Sequence, residues 1–182
     1  MEFAERGILA SMKIVALTKP VTKIGRPHLL ISAAWLLQVV AWFLPVVKGV
    51  WGGQTDPISG EQAFVAAAGA LRDGGLFGEW YSAVLAAASA VTTVFFIGGS
   101  PWVVLRGSPS LRRTSAWAVS LAFIVNAHWY ILLRPDGLVS DLGIGYFLWW
   151  WSFVLLAIGF FDLAGSDNAV ESTQRQAAAL PK

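Results

Sequence analysis

Four long apolar segments alternate with polar stretches along the chain. They cover residues 28–47, 80–97, 114–133 and 144–161, and each is 18 or 20 residues long. No Asp, Glu, Lys or Arg lies within any of them. An α-helix needs about 20 apolar residues to cross the hydrocarbon core of a bilayer. The pattern therefore predicts an all-α fold: a polytopic integral membrane protein built as a four-helix transmembrane bundle.

The two ends of the chain are polar. Residues 1–27 are basic, and their apolar side chains recur at helical spacing: Phe3, Ile8, Leu9, Met12 and Val15. This spacing favours a short helix on the anionic cytoplasmic leaflet, with a disordered basic arm as the alternative. The arm has no apolar run long enough for a secretory signal, so we expect it to remain on the mature protein. The membrane domain then covers residues 28–164, and a cytoplasmic tail covers residues 165–182.

The first outer loop, residues 48–79, carries a helix signal of its own. Ser59 is followed three residues later by Gln62, which is the spacing of a capping box. The residues after Gln62 place Phe64, Ala67, Ala68 and Leu71 on one apolar face. The loop is therefore predicted to contain a short amphipathic helix over residues 59–71.

Local sequence also predicts where the first two spans end and how the second packs. Pro45 lies near the end of the first span, where a helix tolerates proline because it is ending. Residues 98–101, Gly-Gly-Ser-Pro, are expected to break the second helix and leave residues 102–105 as an interfacial turn. Small residues on the second span predict close approach of a neighbouring helix. They are Ala83, Ala86, Ala87, Ser89 and Ala90.

Composition supports the membrane class. The chain is 56% hydrophobic and only 13% charged, and its mean hydropathy is +0.61, which is more apolar than a soluble domain needs. The absence of cysteine excludes disulfides, thiolate metal sites and iron–sulfur clusters.

The basic residues predict the orientation. With the N-terminus in the cytoplasm, the arm, the second loop and the tail hold five, three and two Lys or Arg residues, against three in the outer loops. Short cytoplasmic loops carry the excess of Lys and Arg. We therefore expect a multi-pass protein of the bacterial cytoplasmic membrane with both termini in the cytoplasm.

The third span carries most of the polar chemistry expected at membrane depth. Asn126, His128 and Trp129 lie near its outer end, and neutral imidazole is a common metal ligand. They are the candidate site for a tetrapyrrole, a carotenoid or a quinone. The alternative is that they hydrogen-bond to a neighbouring helix. His28 cannot share an iron with His128, because His128 lies about 21 Å along the third helix from the cytoplasmic side, where His28 begins the first span.

Aromatic residues concentrate toward the predicted outer face. Those proposed as a partner surface are Trp51, Phe64, Trp80, Trp149, Trp150 and Trp151. An ordinary interfacial aromatic belt is the alternative. Bound lipids are expected in either case.

The sequence favours a function without catalysis. Charge-free spans argue against pumps and proton relays, no catalytic motif is present, and the basic residues are too few and too close to the spans for nucleic-acid binding. The leading hypothesis is an accessory subunit of a larger bacterial membrane complex of the respiratory or photosynthetic type, with other membrane subunits as partners. The alternatives are a membrane protein that binds a cofactor or lipid near His128 and a transporter of a small neutral solute.

Overall fold

A computed structural model gives the fold for residues 25–48, 56–70, 72, 80–133 and 141–178. Within these ranges the chain is mostly helical. The predicted interfacial helix in residues 1–24 and the candidate partner residue Trp51 lie outside the described residues.

Helices account for nearly all of the described secondary structure, with two short strands beside them. The helices are α1 Arg26–Phe43, α2 Gly60–Gly69, α3 Trp80–Arg106, α4 Pro109–Asn126, α5 His128–Leu133 and α6 Ile144–Ala178. The strands are β1 Pro45–Val47 and β2 Ile58–Ser59.

Helix α6 is the centre of the helical packing. Both α1 and α4 pack along it, and α3 packs against α4 and α2. The close approach of α1 to α6 depends on Gly159, since a Cβ atom there would lie 2.6 Å from Cγ1 of Ile31. Four helices contribute buried side chains to the main core. These side chains are Ile31 and Ala34 of α1; Phe96 and Val103 of α3; Ala116, Val119 and Ala122 of α4; and Phe153, Leu156, Ala157, Phe160 and Leu163 of α6.

A small β structure covers the end of the bundle where α1 stops. β1 pairs antiparallel with β2 on one side and bridges to Leu142 on the other. The backbone N–H of Gly143 donates to the carbonyl of Val46 at 2.8 Å, and that of Lys48 donates to Asp141 at 2.6 Å. These backbone bonds join the segment after α1 to the start of α6, and we call the unit of β1, β2 and Leu142 the β cap.

The predicted amphipathic helix is present as α2. The Ser59 side chain accepts from the backbone of Gln62 at 3.3 Å, and the Gln62 side chain accepts from the backbone of Ser59 at 2.9 Å. The capping box is therefore complete and fixes the start of the helix. Ala67 is buried and Phe64 half-buried, as predicted for the apolar face, but Ala68 is exposed, and Leu71 lies outside the described residues.

The predicted break after the second span is wrong. Helix α3 continues through a π-helical turn, Phe95–Gly99, into an α-helical segment, Ser100–Arg106. Pro101 has no N–H with which to bond the preceding turn. The Ser100 hydroxyl instead donates to the carbonyl of Phe96 at 2.6 Å, so the wide turn and this side chain together carry the helix past the proline.

Two further boundaries differ from the sequence prediction. The first helix ends at Phe43, and Pro45 begins β1. The last helix does not stop at the first polar residues after 161 but runs on to Ala178. Of the small-residue face predicted on the second span, Ala83, Ala86, Ser89 and Ala90 are buried and Ala87 is half-buried.

Within the described residues, two helices are long and apolar enough to cross a membrane, by length and composition. They are Trp80–Arg106 and Ile144–Ala169.

Candidate functional site

Three hydroxyl groups on α3 connect the helices in the half of the bundle that is nearer the β cap. Trp129 Nε1 donates to Ser89 Oγ at 3.3 Å, and Asn126 Nδ2 donates to Thr92 Oγ1 at 3.1 Å. From α6, Trp149 Nε1 donates to Thr93 Oγ1 at 3.3 Å. Each of these hydroxyls in turn donates to a carbonyl of its own helix. Acceptors on α3 therefore bind donors from α4, α5 and α6.

The interruption between α4 and α5 at Ala127 is held by side chains from two helices. Tyr146 on α6 donates its hydroxyl to the carbonyl of Asn126 at 3.0 Å, and Trp150 Nε1 donates to the carbonyl of Phe123 at 2.8 Å. His128 bonds through Nδ1 to the carbonyl of Val125 at 2.7 Å. Side chains of α5 and α6 therefore bind the free backbone carbonyls at the end of α4, and the polar residues around Ala127 contribute to helix packing.

The His128 contact fixes its tautomer. A carbonyl oxygen only accepts, so Nδ1 must carry the hydrogen, and Nε2 of the neutral ring is left as an acceptor. Among the described residues, Nε2 of His128 and Oδ1 of Asn126 have no hydrogen-bond partner, although the two side chains are 8% and 0% exposed. The imidazole and the Trp129 ring lie with their centroids 4.6 Å apart. The three candidate cofactor residues are thus brought together, with two buried acceptors free.

Metal binding gains no support from clustering. In the ranges that the structure covers, no group of three or more His, Cys, Asp or Glu side chains is placed to hold a metal ion. Any metal at His128 would need ligands of another kind.

The candidate partner residues fall into two groups. Trp80 and Trp151 are 77% and 52% exposed. Trp149 and Trp150 are half-buried, and both donate their Nε1–H to other helices. Phe64 packs on Trp42, with ring centroids 5.3 Å apart. The run of three tryptophans therefore does not form one outer surface, because only Trp151 is turned outward.

A cavity of about 90 Å³ lies beneath the β cap. Its walls come from α1, β1, α2, α3, Trp129 of α5 and the start of α6. The aromatic residues of its wall are Trp42, Phe64, Trp129, Tyr146 and Trp149, and its other polar side chains are Gln38, Ser89 and Thr93. Among the described residues that line the cavity, none is Asp, Glu, Lys, Arg or His. His128 and Asn126 are therefore neighbours of the cavity, not part of its wall.

Gln38 is the polar residue of this region that sequence reasoning missed. It is 2% exposed, and its Oε1 accepts from Ser152 Oγ at 2.8 Å across the α1–α6 contact. Its Nε2 has no partner among the described residues. The available signal was a single amide side chain inside an otherwise apolar span, since polar groups at such positions form bonds between helices.

No family model, curated protein or solved structure matches this chain.

Proposed function

We propose that the protein is a four-span integral membrane protein that serves as a non-catalytic subunit of a larger membrane assembly. In this proposal the protein is located in the bacterial cytoplasmic membrane, with both termini in the cytoplasm. The observation that carries the membrane part is the position of the charges. In every helix that would span the bilayer, the charged side chains all lie on one side of an uncharged, mostly apolar stretch.

The uncharged stretch of helix α6 is about as long as the hydrocarbon core of a bilayer is thick. This stretch runs from Ile144 to Asp162, about 27 Å at 1.5 Å per residue, close to the roughly 30 Å of a bilayer's hydrocarbon core. At the inner end Asp162 pairs with Arg26 of α1, with 3.2 Å between Oδ2 and Nε. Asp167 pairs with Arg112 of α4. Ion pairs thus tie α1 and α4 to α6 just where the apolar stretch ends.

The outward faces of the helices suit lipid or a partner subunit. Large apolar side chains are exposed along each of them: Leu36, Val39 and Phe43; Val84, Val91 and Val94; Trp117, Leu121 and Ile124; Ile144, Trp151 and Ile158. Such a surface would be costly in water. The exposed outer tryptophans, Trp80 and Trp151, are the positions that a partner subunit would cover.

Purification in a mild detergent tests the subunit role. We expect tagged full-length protein, extracted from membranes, to elute with other membrane subunits at defined stoichiometry. The variants Trp80→Ala and Trp151→Ala should lose those subunits, whereas Trp117→Ala, which changes an exposed tryptophan near the inner end, should retain them. A monodisperse monomer with no companion subunit would contradict the proposal.

A cofactor-binding role is the second candidate, and the free acceptor atoms of His128 and Asn126 favour it. The purified protein would then absorb above the range of its aromatic residues if it holds a tetrapyrrole or a carotenoid, or would release a quinone on organic extraction. His128→Ala should abolish the bound chromophore, and His28→Ala should not. A protein-only spectrum together with a quinone-free extract would exclude this role.

A further inference from the structure

We propose that the cavity beneath the β cap binds an uncharged, bilayer-soluble molecule whose buried end carries a hydroxyl group, with the amide of Gln38 as its hydrogen-bond partner. This inference is separate from the proposed subunit role. It depends on the cavity wall and on one incompletely bonded side chain.

The bonding of Gln38 is incomplete whichever way its amide is oriented. The Ser152 hydroxyl lies 2.8 Å from Gln38 Oε1 and 2.6 Å from the carbonyl oxygen of Trp149. A hydroxyl has one hydrogen, so it can donate to only one of these two acceptors. If the amide is turned over, Nε2 donates to Ser152, the hydroxyl donates to Trp149, and Oε1 takes the position without a partner. In both cases at least one polar atom of this amide, which is 2% exposed, has no hydrogen-bond partner among the described residues.

A hydroxyl group on the ligand can complete the bonding of the Gln38 amide in either orientation. It can accept from Nε2 or donate to Oε1, whereas a carbonyl ligand could only accept. An unbonded buried amide group is unfavourable, so a ligand that completes the bonding recovers part of that cost. A charged ligand is disfavoured, because the described wall of the cavity has no charged side chain to pair with it.

The size of the cavity limits what is buried. At about 90 Å³ it is smaller than the roughly 150 Å³ apolar cavity that holds a benzene molecule. It therefore takes the end of a larger molecule and excludes a tetrapyrrole ring. The rest of the ligand has to leave through the open side.

The gap between α1 and α3 is the route for that remainder. These helices hardly pack on each other along their length. They meet through Trp35, whose ring lies 5.9 Å from that of Phe96 and whose Nε1 donates to Ser100 Oγ at 3.1 Å. The cavity lies outward of this contact, since Gln38 follows Trp35 on α1 and Thr93 precedes Phe96 on α3. Trp35 is thus the floor, the β cap is the roof, and an apolar chain would pass between the two helices toward lipid.

Three of the tryptophans line the cavity, so binding can be followed by fluorescence. The probe is a medium-chain alcohol with bromine on the carbon next to the hydroxyl-bearing carbon, added to the full-length protein in detergent micelles. The comparison probe is the same bromoalkane without the hydroxyl. We expect saturable quenching by the alcohol and weaker quenching by the bromoalkane.

Two variants divide the effect into its parts. Gln38→Met keeps the length of the side chain and removes the amide, and should weaken alcohol binding about five- to tenfold, the value of one hydrogen bond. Its affinity for the bromoalkane should stay within about twofold, as expected for an unchanged apolar contact. Leu36→Met, an exposed position on the same helix, is the matched control and should change neither affinity. Ala67→Phe places a ring in the cavity and should abolish the saturable quenching by both probes.

Three results would overturn the proposal. The first is quenching that rises without saturation and is the same in every variant, which would mean partition into the micelle. The second is equal alcohol affinity in Gln38→Met and the wild type. The third is saturable quenching that survives Ala67→Phe while that variant retains the wild-type unfolding temperature, since the ligand would then lie elsewhere.

Discussion

Single polar side chains decide how the apolar helices of this protein meet. Ser152 is fully buried and lies between the amide of Gln38 on α1 and the carbonyl of Trp149 on its own helix. Asn126 is also fully buried and reaches Thr92 on α3. Surrounding side chains are apolar, so a misplaced helix would leave these groups without partners. Each bond is modest in energy, and together they select one arrangement of the helices.

The Ser152–Gln38 pair can be tested by a double-mutant cycle. Ser152→Ala removes the partner of a buried amide, and we expect it to lower the free energy of unfolding by about 1 kcal/mol, within the range measured for bonds between membrane helices. The double variant Ser152→Ala/Gln38→Met should lose less unfolding free energy than the sum of the losses in the two single variants, because it has no buried amide left without a partner. Thermal unfolding in detergent measures each variant. Ser166→Ala, at an exposed hydroxyl on the same helix, should have little effect. Strict additivity would mean that the pair does not interact.

At the scale of residues, the sequence located one polar site and missed another. Asn126, His128 and Trp129 are close in sequence, so a single span shows all three. Gln38 and Ser152 are separated by 114 positions; the amide of Gln38 stands out in its own segment, but nothing in either segment shows that the two side chains meet. Their proximity follows from the packing of α1 on α6, which no local pattern encodes.

At the scale of elements, glycines allow the backbone contacts that close the β cap. A Cβ atom at position 143 would overlap the carbonyl oxygen of Pro45, and one at position 145 would lie 2.9 Å from the carbonyl oxygens of Leu44 and Pro45. Side chains at these positions would push the start of α6 away from β1. The cap therefore depends on small residues at a site where two distant segments cross.

Gly143→Ala tests this dependence. We expect a loss of about 2–4 kcal/mol in the free energy of unfolding, because the added methyl must displace the backbone of β1. Gly165→Ala is the matched control: a Cβ there meets nothing within 4 Å, and alanine in a helix is favoured over glycine by about 0.5–1 kcal/mol. The control should therefore unfold at a higher temperature than the wild type. Equal unfolding temperatures for the Gly143 variant and the wild type would show that the β cap does not form as described.

Helix α2 could be predicted from sequence, but the π-helical turn and the strands could not. The capping box of Ser59 and Gln62 is a local signal, complete within four residues. Residues 98–101 also give a local signal, and here it misleads, because Trp35 and the Ser100 hydroxyl hold the helix together across the proline. β1 and β2 have three and two residues, too few to show a period, and their pairing depends on where the loop returns.

Arg112 connects α4 to α3 and α6 at the end of the bundle opposite the β cap, and a substitution there tests the packing of these three helices. Its side chain binds Asp167 of α6, and its Nη2 donates to the carbonyl of Val104 at 2.9 Å near the end of α3. Lysine keeps the charge but cannot form this fork of bonds. Arg112→Lys should lower the free energy of unfolding by about 1.5–3 kcal/mol, the value of a hydrogen bond to a charged group. Thermal unfolding is the measurement, with Arg113→Lys at the adjacent exposed position as the control. Equal losses from the two variants would remove the special role of Arg112.

At the scale of the whole molecule, the same end of the bundle collects the basic residues and the ion pairs. Arg26, Arg106 and Arg112 lie at the inner ends of α1, α3 and α4, and the carboxylates of α6 meet two of them. The opposite end carries the β cap, α2 and the cavity. A bilayer would then lie between the ionic end and the capped end, and the ionic end is the one that the Lys and Arg distribution predicts to face the cytoplasm.

The chain has no cysteine, so single introduced cysteines report the topology without background. Glu61→Cys places a thiol on the exposed side of α2, and Asn168→Cys places one at an exposed position beyond Asp162 on α6. In intact spheroplasts, a membrane-impermeant maleimide should label Glu61→Cys and leave Asn168→Cys unlabelled until the membrane is opened with detergent. The physical reason is the uncharged stretch of about 27 Å between Ile144 and Asp162, which puts the two thiols on opposite sides of a bilayer. The reverse pattern would invert the orientation. Labelling of both positions in intact spheroplasts would place both thiols outside the cytoplasm and rule out the four-span arrangement.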